Sequence, residues 1–345
     1  MQGIDNNKET KKIQKKAENI CKVIKELRLP QLSRKFYHYT SIEVLFSILE
    51  NDSMWITNTQ FSNDGTEEKL LKTKNISIHD NYMACFCDEG NQLSQWRGYC
   101  PRGGASIELE LNEVRLYSIL DADYEKSRKY KLVYNTPIPV IYIKDSEETL
   151  EEAYDAIESI CKRDTSDPQE LIRQISATVP FWKNDKFKEE KESRLIFSNE
   201  DGEFSNCIRF RTLPNKAKVP YMVMKMGDVS LFSRNCQSTK IDRNYLDKIY
   251  NEGRKSLWIP EGSNQEKVLK EVNILVDEFN NQFIEEESFI KVYCAGHLPI
   301  KKITIAPTYD RERIMEQVKR FCQSKYWLRN VEVVYSDIPY ISPAE

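Results

Sequence analysis

The chain has 345 residues, with 51 Lys and Arg against 54 Asp and Glu and a formal charge of −3. This length admits two domains or one elaborated domain, and the near-balance of charge argues against a protein that coats nucleic acid through its overall field. With 11 glycines and 13 prolines the chain is neither collagenous nor dominated by linkers, and aromatic residues, at 11%, suffice for both a core and stacking surfaces.

The first residues show no apolar segment typical of a secretory signal, and no apolar run approaches the roughly 20 residues that span a bilayer. The nine cysteines are an odd number without a disulfide framework. Cys85 and Cys87 would lie on one face of a strand, but no second Cys/His pair accompanies them, so we expect reduced thiols and no metal. The sequence predicts a cytoplasmic protein without membrane contact.

Residues 1–34 predict an N-terminal amphipathic helix, because apolar residues recur at helical spacing from Ile13 to Leu27 and Pro30 ends the pattern. This lysine-rich helix either packs on the body as a solvated helix or forms an arm that binds nucleic acid. Residues 35–345 predict a single elaborated α+β domain.

Short strands and helices alternate along that domain. A helix capped by Thr40 or Ser41 follows the first strand, and a helical insertion is predicted at about 113–182. Strands are predicted at 35–39, 54–57, 82–87, 105–111, 194–197, 207–212, 221–226, 302–306 and 331–335. Further helices are predicted at about 264–282 and 310–324.

Three polar stretches lie at strand ends in the first part of the domain. Residues 38–41 (His-Tyr-Thr-Ser) form a strand-to-helix junction, where His38 is either open to a ligand or a core histidine with both nitrogens bonded. Trp55 and Thr57 share one face of a strand. Residues 63–67, with two carboxylates, are typical of a turn and helix cap, and a metal site is the alternative.

Residues 93–104 offer an unusual combination of side chains. Ser94 supplies a hydroxyl, Arg97 a guanidinium, Trp96 and Tyr99 two aromatic rings, and a Gly-Gly turn follows. These groups suit a pyrophosphate beside a stacked base or ribose. The glycine spacing matches neither a Walker nor a Rossmann loop.

Two charged stretches follow. Glu190 and Glu192 would share a face in a strand, and a solvated charge run is the alternative. Residues 207–225 contain basic side chains and no acid, which indicates a local surface for an anionic partner or, alternatively, a solvated sheet face. The basic residues considered for nucleic acid are Arg209, Arg211, Lys216 and Lys218.

Taken in order, these stretches resemble a widespread bacterial family of unknown function, over about residues 35 to 340. The family has no settled activity, so this resemblance implies no chemistry. It rests on residues 38–41, 55–58, 63–67, 93–99, 190–194 and 338–340.

A second set of residues resembles the ADP-ribosyltransferase superfamily. His38 on a first strand, Thr40 before a helix, and Glu192 near a later strand carry this similarity. It implies a split mixed β-sheet that binds NAD in a cleft. By this resemblance Glu192 would be the catalytic carboxylate acting on the ribose, and Glu190 would orient the acceptor.

The same resemblance implies contacts to NAD. His38, with Thr40, would hold the ribose and carboxamide, and Trp55 or Tyr99 would stack on the nicotinamide. Arg97, with Ser94, would hold the pyrophosphate. Trp55 stands where many members of the superfamily have Tyr.

The hypothesis is an ADP-ribosyltransferase-like enzyme or NAD glycohydrolase that uses NAD as a substrate, needs no metal, and acts as a toxin or phage-defence effector. Breaking the nicotinamide–ribose bond passes through an oxocarbenium-like state that a carboxylate stabilises. Two alternatives stay open. One is a protein that binds or processes nucleic acid through the basic strands, and the other is a non-catalytic ligand sensor.

Overall fold

A computed structural model of the protein shows a mixed α/β fold, with one large mixed sheet, a separate two-stranded sheet and several helices. Most pairs in the large sheet are antiparallel, and β16 (Ile300–Ile305) pairs parallel with β17 (Glu332–Tyr335). The structure describes Lys11, Lys15 and residues 34–61, 80–111, 115–127, 130–135, 137–144, 147–163, 165–199, 201–213, 217–232, 238–240, 256–259, 290–294 and 297–339.

The remaining strands, in chain order, are β1 (Arg34–Thr40), β2 (Met54–Asn58), β3 (Asn81–Cys87), β4 (Ala105–Leu111), β5 (Arg115–Leu120), β6 (Tyr130–Asn135), β7 (Ile138–Pro139), β8 (Ile141–Ile143), β9 (Trp182–Asn184), β10 (Glu192–Ser198), β11 (Arg209–Thr212), β12 (Lys218–Phe232), β13 (Ser238–Lys240), β14 (Ser256–Ile259) and β15 (Ile290–Cys294). The helices are α1 (Ile42–Asn51), α2 (Leu93–Tyr99), α3 (Tyr124–Ser127), α4 (Glu147–Lys162), α5 (Pro168–Thr178) and α6 (Arg311–Ser324). Short 3-10 turns cover Thr59–Phe61, Val179–Phe181, Asp185–Glu190, Ser205–Cys207 and Tyr326–Leu328.

The large sheet is split beside β3, where two strands share one of its edges. The opposite edge of β3 pairs with β10 over its whole length. On the shared edge, Cys87 pairs with Tyr37 of β1 while Met83 pairs with Thr57 of β2. The ladder therefore changes partner near Cys85, where β1 and β2 separate.

One face of the large sheet forms the main core, and we call it the core face. Alternation along the strands brings Phe36, Phe86 and Leu195 to this face, each almost fully buried. Helices α1 and α6 cover it with residues that include Leu45 and Val318. Burial of such apolar surface is the main stabilising contribution to the fold.

Helix α1 begins where the sequence predicts it. The Ser41 hydroxyl accepts a hydrogen bond from the Val44 backbone N–H at 3.3 Å, which is the expected N-cap. The helix ends at Asp52, whose φ of 48° lies in the left-handed region. The strand-to-helix junction of residues 38–41 is thus confirmed as local structure.

A second hydrophobic cluster is built by α4, α5, β8 and β9, with Ile157, Ile175 and Trp182 buried at its centre. Within the insertion predicted at about 113–182, the long helices α4 and α5 occupy Glu147–Lys162 and Pro168–Thr178. Residues 115–143 instead contain β5 to β8, because Tyr117 and Ile119 alternate into the main core while β5 pairs with β12.

Two residues of the predicted N-terminal helix belong to the part of the chain that the structure describes. Lys11 and Lys15 are helical, and the other residues of 1–33 lie outside the described residues. The predicted helix at 264–282 and the polar turn at 63–67 also lie outside them.

Gly104 packs against backbone where no side chain fits. A Cβ at this position would lie 2.3 Å from the Thr40 carbonyl oxygen and 2.6 Å from Cys100 Sγ. We expect Gly104→Ala to lower the free energy of unfolding by about 1–3 kcal/mol, measured by urea denaturation. Gly98→Ala is the matched control, because a Cβ at this helical position meets nothing within 4 Å, and it should stabilise α2 by up to about 1 kcal/mol. Equal effects of the two substitutions would contradict the packing argument.

Candidate functional site

Four charged side chains meet in a buried cluster at the start of β10. Lys183 Nζ lies 2.6 Å from Glu192 Oε2 and 2.7 Å from Glu190 Oε2. Arg194 donates from Nε to Glu192 Oε1 at 2.7 Å and from Nη1 to the Pro180 carbonyl at 2.6 Å. The side chains of Lys183, Glu192 and Arg194 are each no more than 5% exposed. We call Lys183, Glu190, Glu192 and Arg194 the charged cluster.

Local backbone geometry brings the two glutamates together. The turn Asp185–Glu190 begins at Asn184, whose side chain accepts from the Lys186 N–H at 3.0 Å. It ends at Lys191, whose φ of 46° lies in the left-handed region. This reversal places Glu190 and Glu192 on either side of an exposed residue, with both carboxylates directed at Lys183.

The two carboxylates ionise differently. Burial alone would raise the pKa of Glu192, but the charge and hydrogen bonds of Arg194, with those of Lys183, lower it to about 2. Burial raises the pKa of Glu190 above its usual value, and Lys183 offsets this only in part. Glu192 is charged near neutral pH, and its two oxygens accept bonds from both cations. Glu190 accepts from Lys183 and is the carboxylate that is easier to protonate.

The low pKa of Glu192 predicts a loss of stability in acid. A carboxylate with a pKa of about 2 when folded and about 4.5 otherwise stabilises the fold fully above about pH 4.5, and this contribution is lost as the pH falls towards 2. Such a shift corresponds to about 3 kcal/mol. Between pH 5 and pH 3, the urea midpoint of the wild type should therefore fall more steeply than that of Glu192→Gln. The exposed Glu43→Gln serves as the control for losing one carboxylate, and parallel curves for wild type and Glu192→Gln would contradict the prediction.

Two tyrosines border the charged cluster. The Tyr142 hydroxyl accepts a hydrogen bond from the Glu192 backbone N–H at 2.7 Å. Tyr99, the last residue of α2, lies near enough to Glu190 and Lys183 for their charges to act on it. Burial, followed by the negative charge of Glu190, raises the pKa of Tyr99 above its usual range. Tyr99 is also 37% exposed, so the residue links the cluster to the surface.

Stretches that are distant in sequence converge beside this cluster. The Tyr39 hydroxyl donates to the Glu89 carbonyl at 2.8 Å and accepts from the Gln92 N–H at 3.0 Å, which fixes the start of α2. The Gln92 side chain donates to the Glu189 carbonyl. Asn91 in turn accepts from Ser336 Oγ at 2.5 Å. Residues 38–41, 93–99, 190–194 and 336–339 therefore form one assembly.

The strand register decides which predicted residues share a face. Tyr37 lies opposite Cys87, and Cys87 lies opposite Glu192, so these three side chains project from one side of the sheet. We call this side the carboxylate face. The α2 helix packs on it, since the rings of Tyr39 and Trp96 are 4.8 Å apart.

His38 does not project from the carboxylate face. It alternates with Tyr37 and Tyr39, and its ring lies 6.1 Å from that of the core residue Phe86. Its Nδ1 is 3.0 Å from the Cys85 carbonyl oxygen, at the point where β1 and β2 separate. Burial lowers the pKa of His38, so the ring is neutral near pH 7 and donates to this carbonyl.

The other residues predicted to hold NAD are distributed over both faces. Thr40 shares the core face with His38 and is buried, and its carbonyl accepts from Cys100 Sγ at 3.4 Å. Ser94 has a buried hydroxyl without a partner among the described residues. Arg97 is exposed on α2. Trp55 is 40% exposed and shares the carboxylate face, since its neighbour Thr57 lies opposite Met83.

The structure also shows residues that the sequence did not single out. Lys183 on β9 lies 7 residues before Glu190, whereas Tyr142 on β8 lies 50 residues before Glu192. The parallel pairing of β8 with β9 places Tyr142 opposite Lys183. One signal was available for Lys183, because it directly follows the apolar run Val179 to Trp182. A lysine in such a run is either at a surface or buried with a counter-charge.

The described residues hold no group of three or more His, Cys, Asp or Glu side chains placed to bind a metal ion. Among them, no helix has both the length and the apolar character needed to cross a membrane.

A protein-family model matches residues 95–195 of the chain. No curated protein and no solved structure matches the chain. The matched region contains most of α2, the helices α4 and α5, and the whole charged cluster. The predicted resemblance to a family of unknown function is confirmed, because the family described as Protein of unknown function (DUF2971) is found in this chain over residues 95–195.

Proposed function

We propose that the protein is an NAD-using enzyme of the ADP-ribosyltransferase type, which cleaves the nicotinamide–ribose bond and passes ADP-ribose to a macromolecule or to water. The observation that carries the proposal is the pairing of Glu190 and Glu192 at the start of β10, beside the split of the sheet. The split itself, where β1 and β2 part along β3, is the second support.

Glu190 is the carboxylate that we assign to the ribose. Its side chain is 14% exposed, compared with 3% for Glu192, and its described bond is to Lys183. A carboxylate at the ribose stabilises the positive charge that develops as nicotinamide leaves with the bonding electrons. Its raised pKa also suits it to take the proton that the acceptor loses when it bonds to the anomeric carbon.

Glu192 is assigned a positioning role. Its oxygens are already occupied by Lys183 and Arg194, so it holds two buried cations and, through Lys183, the carboxylate of Glu190. A group fixed in this way needs no reorganisation during the reaction. The assignment departs from the resemblance, which gives the catalytic role to Glu192.

The proposed contacts to NAD use the carboxylate face. Tyr99 is the aromatic residue beside Glu190 and would stack on the nicotinamide. Arg97 and Ser94, on the same helix, would take the pyrophosphate. His38 is left out of the contacts to the reacting ribose, because it projects from the core face and bonds to the Cys85 carbonyl.

The test is incubation of the purified protein with NAD, with nicotinamide measured by chromatography. Free ADP-ribose indicates hydrolysis, and radiolabel from the adenylate part appearing on protein or nucleic acid indicates transfer. Either result depletes NAD or blocks a macromolecule, which is the chemistry of a toxin or a phage-defence effector. Binding of NAD without nicotinamide release, in the presence of both macromolecule classes, would contradict the proposal and indicate a ligand sensor.

A further inference from the structure

An exposed aromatic residue and three cations share the carboxylate face at some distance from the charged cluster. The Trp55 ring lies 4.6 Å from the Tyr221 ring, tilted by 36°, and Trp55 remains 40% exposed. Arg211 places its guanidinium carbon 6.0 Å from the Trp55 ring centre. Although Tyr221 packs against the indole and Arg211 lies over it, Trp55 keeps enough exposed ring surface to contact a flat ligand.

Register places the cations on this same face. Arg209 lies opposite Tyr221 and Arg211 opposite Val219 on β12, while Tyr221 lies opposite Thr57 on β2. Lys225 lies four residues after Tyr221 on β12, and because this spacing is even the two side chains project from the same face. Lys218, opposite Thr212, projects from the other face and donates to the Thr212 hydroxyl at 2.8 Å, and Lys216 lies outside the described residues.

The two arginines are incompletely satisfied. Arg209 donates from Nη2 to the Asp121 carbonyl at 2.9 Å, and Arg211 lies 3.5 Å from the Thr57 hydroxyl. In the part of the chain that the structure describes, the Nε atoms of both arginines are buried without a partner. Within the same ranges, no ion pair is recorded for Arg209, Arg211 or Lys225. Half-buried cations without a counter-charge attract an anionic ligand.

The extent of these charges indicates the kind of ligand. Arg211 on β11 lies opposite Val219 on β12. Lys225 lies further along β12, and the distance from Val219 to Lys225 is about 20 Å at the usual rise of a strand. A single nucleotide is too short to reach all three cations, whereas a flexible strand of phosphates can follow them. Stacking on Trp55 needs an unpaired base, which a duplex does not supply.

We infer that Trp55, Tyr221, Arg209, Arg211 and Lys225 form a binding surface for single-stranded nucleic acid. One base stacks on Trp55, and the phosphates on either side contact the three cations. The near-neutral charge of the whole chain conceals this surface, since the acid-free interval 207–225 is averaged against acidic residues elsewhere. The surface lies on the carboxylate face, with Trp55 two strands from β10, or about 10 Å. If the proposed function holds, a strand bound here is the acceptor, and that role alone depends on the proposed function.

The test measures binding in the absence of NAD, so that it can succeed or fail independently of nicotinamide release. A fluorescein-labelled oligothymidylate of about 12 nucleotides is titrated with the full chain, and fluorescence anisotropy is followed at several salt concentrations. We expect the logarithm of the affinity to fall with the logarithm of the salt concentration, with a slope of about −2 for three phosphate contacts. Trp55→Ala should weaken binding by about 5- to 150-fold.

Arg211→Gln separates the charge contribution from the stacking contribution. It should weaken binding and reduce the salt slope by about 0.7, whereas Trp55→Ala should leave the slope unchanged. Tyr335→Ala is the matched control, because Tyr335 is also an exposed aromatic residue on the large sheet beside an arginine, with the Arg311 guanidinium 4.6 Å from its ring. Near-ultraviolet circular dichroism confirms that each variant is folded.

Three results would overturn the inference. The first is wild-type affinity for the oligothymidylate in both Trp55→Ala and Arg211→Gln. The second is equal affinity for the same oligonucleotide annealed to its complement. The third is effective competition by thymidine monophosphate at concentrations equal to the oligonucleotide, which would reduce the surface to a mononucleotide site.

Discussion

Replacing Lys183 by Met is expected to lower the free energy of unfolding by about 3–5 kcal/mol. The Lys183 side chain is 5% exposed and lies between two carboxylates, at 2.6 Å from Glu192 and 2.7 Å from Glu190. Burial alone would lower the pKa of Lys183, but the charge of Glu192 raises it above its usual range, so the ammonium form is the folded form. Its loss leaves two buried carboxylates with Arg194 as the remaining partner in the cluster.

The measurement is urea denaturation at pH 7, with Lys191→Met as the matched control. Lys191 belongs to the same segment and pairs with Glu89, but both side chains are about half exposed. Exposed pairs contribute about 0–1 kcal/mol, so the control should unfold near the wild type. The double variant Lys183→Met, Glu190→Gln should recover part of the loss, since it removes one of the uncompensated charges. Similar destabilisation by Lys183→Met and Lys191→Met would show that burial does not set the strength of this interaction.

Much of the secondary structure could be predicted because its pattern is local. The strands around Tyr82 and Ile107, the cap at Ser41 and the last helix all follow from alternation or helical spacing within a few residues. Residues 115–143 were predicted as part of a helical insertion but contain the strands β5 to β8. These strands are short, so their apolar pattern is weak, and β5 is held by pairing with β12, about a hundred residues away in sequence. Tertiary pairing of that kind is not visible in a local window.

The candidate site shows the same limit. The pair Glu190 and Glu192 was found from its spacing, and the alternative of a solvated charge run is wrong for Glu192 and Arg194, which are buried. The sequence could not show that His38 and Glu192 project from opposite faces, since this depends on the register of β1, β3 and β10. It also could not show that Lys183 is the partner of both glutamates. The acid-free interval 207–225 was visible in the sequence, but its proximity to Trp55 was not, because that depends on β2, β11 and β12 lying side by side.

Replacing Glu190 by Gln is expected to slow nicotinamide release from NAD by about 10²–10³-fold while the protein stays folded. The substitution keeps the size of the side chain and removes the charge that is assigned to the ribose. Lys183 keeps its bond to Glu192, so the buried part of the cluster retains a carboxylate for both cations. Glu189→Gln is the control, because Glu189 is the exposed neighbour in the same turn and should release nicotinamide at the wild-type rate.

The pH dependence separates Glu190 from Glu192. The pKa of Glu190 is raised by burial, and the ionised form is the active one, so the wild-type rate should increase as the pH rises through this elevated value. In Glu190→Gln this acid limb should disappear from the remaining activity. Glu192 has a pKa of about 2 and stays ionised throughout, so it produces no such limb. An unchanged rate in Glu190→Gln, or an acid limb that persists in it, would remove Glu190 from the reaction. Glu192 would then be the reacting carboxylate, and one of its two cations would have to move away during each turnover.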